Sequence, residues 1–387
     1  MRAFLLLLSL LSVLAAGADA QPVHVSMTTC HTVDVPAGAD IIERRLIACG
    51  DGFADNVLWH LDRSDSATGA LDGKLVRKTT GRGAVIYVLD TGVLRDHVEF
   101  QRPTGSNVIA GINAGGHAGC EGAELAPCYL RDFPRQSLFY GHGTSVASVA
   151  AGARVGVAPD ASIVSVLYRD APTLVTALHE IIRHAFEPAT PFFRTAVVNF
   201  SLSLSSAEQT PELNALIERM TRGVDAAGNA DANGKRFFFT VAAGNFYPDS
   251  SNQCGDDRSV VIYPALLGSS IDGVITVGGI DRQNAIWSGS CTGPLVEILA
   301  PVTDVLTASI VENDTYRYQP AAFSSGTSWA APYVAGMAAR LLEANPSLTP
   351  AELELALKAS PSRVGGLPVA VQIESAPTAG RRRTVRH

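Results

Sequence analysis

Five stretches of this chain are apolar almost without a break: "AVIYVL" (84–89), "SIVSVLY" (162–168), "AVVNFSL" (196–202), "FFFTVA" (237–242) and "GVITVGG" (273–279). Each has the length of a strand and the β-branched or aromatic content of one. None alternates apolar with polar, as a strand with one wet face would. Such strands must be buried on both faces, which leaves few architectures open. Helical patterns lie between them. Leu174, Leu178, Ile181 and Ala185 share one helical face, as do Leu213, Leu216, Ile217 and Met220. "TPAELELALK" (349–358) opens with Thr before Pro and has Glu at the third helical position, a capping-box start. Strands alternating with helices predict an α/β fold, a mostly parallel central sheet with helices on both faces. At 387 residues and 47% hydrophobic, the chain can fill such a core.

The outer segments read differently. "MRAFLLLLSLLSVLAAGADAQ" has a basic start, an apolar stretch too short to span a bilayer well and an Ala18-Asp19-Ala20 cleavage pattern. Residues 1–20 are therefore expected to be a signal peptide, and the protein to be secreted or periplasmic. Residues 21–56 are polar and show no clear period. They form a short N-terminal segment, either a pro-segment or a retained extension. The main domain is expected over 57–365 and a tail over 366–387. There is no internal repeat, and no later stretch is apolar for long enough to cross a membrane. A net charge of −7 with no basic region in the body argues against nucleic acid.

Six cysteines, Cys30, Cys49, Cys120, Cys128, Cys254 and Cys291, form an even set in an exported chain, so disulfides are expected. Sequence neighbours give the simplest pairing: 30–49, 120–128 and 254–291. None has the spacing of a zinc or C-x-x-C redox site.

The polar residues at the ends of the apolar runs carry the chemistry. "AAGN" occurs at 226–229 and at 242–245. The first copy follows a helix and runs into "ADANGK", a surface loop. The second ends an apolar strand, where open α/β sheets place their ligands. Asn245 is thus the candidate and Asn229 a turn residue. Asp90 also ends a buried strand, where a carboxylate is costly unless paired. His142 stands between two glycines in "YGHGTSVASVAAG", before a helix of small residues. Ser328 opens another such helix in "FSSGTSWAAPYVAGMAA", close to backbone N–H groups and the positive end of the dipole. The residue types suit acyl transfer. Ser328 is the nucleophile, His142 its base, Asp90 the group that orients the imidazole and Asn245 an oxyanion donor.

"VLDTGV", "GHGTSVASVAAG", "VAAGN" and "SSGTSWAAPYVAG" together resemble the four signature blocks of the subtilisin-like serine proteases, and "DTGVLRDHVEF" with the cysteine placement leans toward the proteinase K branch. The resemblance covers roughly 58–365. It implies a three-layer subtilisin-like fold and a serine endopeptidase acting on polypeptides as a monomer. Asp90, His142 and Ser328 would be its triad, and Asn245 would share the oxyanion hole with the Ser328 amide. Ser201, Leu202, Ser203, Ala243 and Gly244 would bound the substrate cleft. No cofactor is implied for the chemistry. Structural calcium fits the family, but no ligands are assigned. Ser203 stands where the family usually has glycine, which implies a narrower P1 slot favouring small or medium side chains. Ser145 stands where a second, non-catalytic histidine is frequent. The segment 21–56 is short for a prodomain, so it is expected to stay attached and pack on the domain. An inserted loop, 113–140, could act as a selectivity wall.

Two further signals are set aside. In "HEIIRH" (179–184) the histidines are five apart, not four, and cannot share the helical face that a zinc site needs. "NADANG" (229–234) starts like a calcium loop but has Thr240 where a glutamate is required. A plain turn is expected there.

Overall fold

The computed structural model describes residues 58–116, 141–168, 170–205, 208–247, 252–310 and 325–373, and the backbone of 23–26, 32–38, 41–46 and 315–318. Its centre is a seven-stranded sheet: β1 (Val85–Asp90), β2 (Val108–Asn113), β3 (Ser162–Leu167), β4 (Thr195–Phe200), β5 (Arg236–Ala242), β6 (Val274–Ile280) and β7 (Ile298–Pro301), in the spatial order β7-β6-β5-β4-β1-β3-β2. Every neighbouring pair is parallel.

The five apolar runs are β1, β3, β4, β5 and β6, and β1, β4 and β6 are buried at every position. The pleat sends successive side chains to opposite faces. Ile86 and Val88 join one core, with α1 (His142–Ala151), α4 (Thr327–Ala344) and α5 (Pro350–Lys358). Val85, Tyr87 and Leu89 join the other, with α2 (Ala171–Ala185) and α3 (Pro211–Arg222). The stripes read from sequence are the faces that pack. Leu174, Leu178, Ile181 and Ala185 are buried, as are Leu213, Leu216, Ile217 and Met220. The Thr349 capping box also forms: the Glu352 N–H donates to Thr349 Oγ1 at 3.3 Å, and the Thr349 N–H to Glu352 Oε2 at 2.8 Å.

The strand order locates the site. From β1 the chain crosses to β2 and returns to β3 on one side of β1, and then β4 starts the other half of the sheet. The direction of winding therefore reverses between β1 and β4. Connections leave a crevice outside the carboxyl ends of these strands. Asp90 is the last residue of β1, and Ser201 follows the last residue of β4.

Smaller sheets surround this core. Backbone strands 32–38 and 41–46 form a hairpin that extends onto Lys74–Arg77. Strand 23–26 pairs antiparallel with 315–318, which also pairs with 307–308. At the other end, 363–364 and 367–368 form a hairpin, Val369 bridges to Leu299, and Val369 and Ala370 are fully buried. Residues 367–371, expected in a tail, thus pack with the domain. Cys254 and Cys291 are disulfide-bonded, with Cα atoms 5.5 Å apart. Residues 1–20, where a signal peptide is expected, Cys30, Cys49, Cys120, Cys128 and residues 117–140 lie outside the described residues.

Candidate active site

Asp90 is 2% exposed, so its carboxylate needs partners. Oδ1 accepts the Thr91 N–H at 2.7 Å, and both oxygens lie 2.9 Å from His142 Nδ1. A carboxylate can only accept, so Nδ1 carries the proton, and a lone pair for base chemistry falls to Nε2. His142 is the first residue of α1, and the sequence around it allows the close approach. A Cβ on Gly143 would lie 2.4 Å from the Gly92 carbonyl oxygen. Any side chain at 143 would therefore push α1 off the loop that follows Asp90. Two threonines stitch the loop to the helix. Thr91 Oγ1 accepts the Gly143 N–H at 3.0 Å, and Thr144 Oγ1 accepts the Leu94 N–H at 2.9 Å. Burial first, and then the charge of Asp90, hold the nearby Tyr168 phenol above its ordinary pKa.

Ser328 is the second residue of α4, so its N–H is among those that the helix leaves without an internal acceptor. Trp329 brings this helix start up to the imidazole, with ring centroids 5.5 Å apart. Pro332 lies inside α4, at its sixth residue. A proline there has no N–H for the carbonyl four residues earlier, which is that of Ser328. Ser201 supplies the missing donor, its Oγ reaching the Ser328 carbonyl at 2.9 Å. Ser201 is held in turn by Asn199 Nδ2 at 2.9 Å, and Asn199 Oδ1 accepts from Thr240 Oγ1 at 3.2 Å. A buried polar chain thus runs from β5 through β4 to the carbonyl of Ser328. The Ser328 hydroxyl makes a long contact of 3.4 Å with the Ser201 carbonyl.

Asn245 follows β5. Its Oδ1 accepts the Thr327 N–H at 2.9 Å and the Thr327 hydroxyl at 3.1 Å. A backbone N–H can only donate, so this contact fixes which end of the carboxamide is oxygen. The NH2 group is then presented beside Gly326, at the start of α4. Gly244 has φ +99°, and a Cβ there would meet Ile262 Cδ1 at 2.7 Å and Cys291 Sγ at 3.0 Å, so the turn into Asn245 requires glycine. The other "AAGN" ends elsewhere. Asn229 is exposed and bonds through its N–H and side chain to Asp225 in a surface loop.

The structure therefore brings Asp90, His142, Ser328 and Asn245 to one end of the sheet. Ser201, Leu202 and Ser203 leave β4 alongside Ala243 and Gly244, which leave its neighbour β5. Ser201 and Ala243 are buried, whereas Leu202 and Ser203 are half-buried. Sequence reasoning passed over Thr327 and Asn199, which hold the site from beneath, and Gln253, which reaches it from a loop. Thr327 could have been found as the residue beside Ser328. The other two act through contacts far apart in the chain.

The signals set aside find structural places. His184 is buried with Nδ1 3.1 Å from the Tyr87 hydroxyl, while His179 is exposed on the same helix. In 225–234, Asp225 accepts from the Ala227 and Asn229 N–H groups, and Asp231 from the Asn233 N–H. These carboxylates cap their own turns. No cluster of three or more His, Cys, Asp or Glu that could hold a metal occurs among the described residues.

A buried carboxylate on an imidazole, next to a serine at a helix N-terminus and a fixed amide donor, is the arrangement of a serine hydrolase on an α/β sheet. Residues 81–369 match the Subtilase family, and the chain belongs to that family. It is 32% identical over 312 residues to Subtilisin-like protease 3 of Pseudogymnoascus destructans, covering 78% of this chain and 63% of the relative. It is 29% identical over 305 residues to the Alkaline extracellular protease of Yarrowia lipolytica, covering 76% and 56%. This chain thus spans less than two thirds of those relatives' lengths. A solved structure of a cold adapted subtilisin-like serine proteinase superposes with a TM-score of 0.56 at 25% identity, covering 82% of this chain and 98% of that one.

Proposed function

We propose that the protein is an exported serine endopeptidase that hydrolyses polypeptides through an acyl-enzyme on Ser328. His142 Nε2 takes the Ser328 proton as Oγ attacks the scissile carbonyl, and later returns it to the leaving amine. Asp90 keeps the proton on Nδ1 and stabilises the imidazolium that forms. The Asn245 NH2 and the Ser328 N–H receive the oxyanion. The observation that carries this reading is the double contact of His142 Nδ1 with Asp90, formed next to a serine at the start of α4. The leader-like 1–20 and the extracellular protease among the relatives support export. Among the described residues no helix is long and apolar enough to cross a membrane.

Substrate backbone would add as a strand along 201–203, with the P1 side chain entering between that segment and 243–245. The test is hydrolysis of a mixed peptide library by the purified protein and by Ser328→Ala. Internal cleavages that vanish in the variant support an endopeptidase. Cleavage that persists in Ser328→Ala overturns the reading.

A further inference from the structure

Gln253 makes three hydrogen bonds that tie the two walls of the proposed cleft together. Its N–H donates to the Asn245 carbonyl at 3.0 Å. Its Oε1 accepts the Asn245 N–H at 2.9 Å, and its Nε2 donates to Ser203 Oγ at 2.9 Å. Backbone and side chain of this one residue thus hold both backbone groups of Asn245, and the side chain crosses to the 201–203 segment. Its own position is anchored. Cys254, the next residue, is bonded to Cys291, whose N–H donates to the Gly244 carbonyl at 3.0 Å. Gln253, Ser203 and Asn245 are all half-buried, so the tie lies where solvent or a substrate side chain can reach it.

We infer that Gln253 is a specificity-determining and positioning residue, the cross-tie that sets the width of the P1 slot and steadies the oxyanion donor. The inference rests on the protease reading above. The geometry also fixes what Ser203 does. Its hydroxyl points across the slot to Gln253 and accepts from it. The pair joins the strand-end segments by a polar link that an aromatic P1 side chain would have to displace. Breaking an amide–hydroxyl contact and inserting an apolar ring leaves the amide unpaired, which is costly where water is scarce. Small P1 side chains leave the link intact. The effect is therefore on discrimination between substrates. Loosening Asn245 adds an effect on turnover.

The test uses the full secreted protein with two substrates that differ only in Phe or Ala at P1. Gln253→Ala should raise the Phe/Ala ratio of kcat/KM by about ten-fold, the scale of one methylene's worth of space in a pocket. It should also lower kcat on the Ala substrate more than it changes KM. Gln253→Glu keeps an acceptor for the Asn245 N–H and lets the Ser203 hydroxyl donate instead of accept. It should return the ratio to within a few-fold of wild type, which a residue needed only for stability would not do. Ser203→Ala removes only the hydroxyl that Gln253 grips, so it decides the matter if Gln253→Ala does not fold, and there too the ratio must rise. An unchanged ratio in variants whose Ser328 still takes a fluorophosphonate label overturns the inference alone. A wild-type protein that takes no label overturns the protease reading, and this inference with it.

Discussion

Two asparagines in identical "AAGN" tetrapeptides have different fates because their neighbours differ. Asn245 continues a strand buried on both faces, and its amide is turned by Thr327. Asn229 bonds to Asp225 on the surface. Asn245→Ala should therefore cost about 10²–10³ in kcat with KM little changed, the loss known for a subtilisin's own asparagine donor. Asn229→Ala should stay near wild type. Steady-state kinetics of the two variants check this, and equal losses would contradict the strand-end argument. Thr327→Val keeps the backbone donor but leaves Asn245 Oδ1 with one contact fewer and the Gly244 N–H without its acceptor. A smaller fall in kcat, of about ten-fold, is expected. The four central residues could be read from sequence because each is a polar interruption at the edge of an apolar or small-residue run. Gln253 could not. It sits among polar loop residues, and its role comes from Ser203, fifty positions away in the chain.

At the scale of elements, the central strands and both amphipathic helices were legible because burial leaves a periodic trace. Strands β2 and β7 left none. They are the sheet's two edges, one carrying half-buried positions and a glycine, the other only four residues long. The hairpin over 32–46 was missed for the same reason: its polar composition hides strand pairing that depends on residues 74–77. The Cys254–Cys291 bridge was the pairing expected between sequence neighbours, and the fold explains its use. It closes a loop between Asn245 and Ser328, with Cys291 Sγ against Gly244. Replacing both cysteines by serine should cost on the order of 3–4 kcal/mol by loop entropy. Activity should also be lost at temperatures where the fold persists, because the support under Gly244 goes. Denaturant unfolding of the Ser328→Ala form measures the first effect free of self-digestion. A loss under about 1 kcal/mol would show that the loop is held by its other contacts.

The whole molecule carries a pH dependence separate from catalysis. His60 is fully buried, with Nε2 on the Val155 carbonyl at 2.9 Å, and burial pushes its pKa down to about 4. The ring is neutral in the fold but gains a proton in the unfolded chain below about 6.5. Its contribution is therefore complete above pH 6.5 and is lost as pH falls toward 4, up to about 3 kcal/mol. Asp65 runs the other way. Its pKa is raised to about 7, chiefly by burial, so its contribution is complete below the ordinary carboxylate range and is lost as pH rises through 7. The readout is therefore the difference between wild type and His60→Gln on a Ser328→Ala background, where the variant should lose less stability from pH 6.5 to 4. Parallel curves would remove His60 from the account. Strand 23–26 pairs with 315–318, and 41–46 with 74–77, and we propose that the N-terminal segment is retained. N-terminal sequencing of the secreted form should begin at Gln21, and a start near Leu58 would show that the segment is removed. If Ser328 is the nucleophile we propose, activated by His142, the rate and site of fluorophosphonate labelling, read by intact mass and peptide mapping, report it. One adduct per chain is expected, on Ser328, formed far more slowly in His142→Ala and absent in Ser328→Ala. An adduct on another residue, or one formed equally fast without His142, would contradict it.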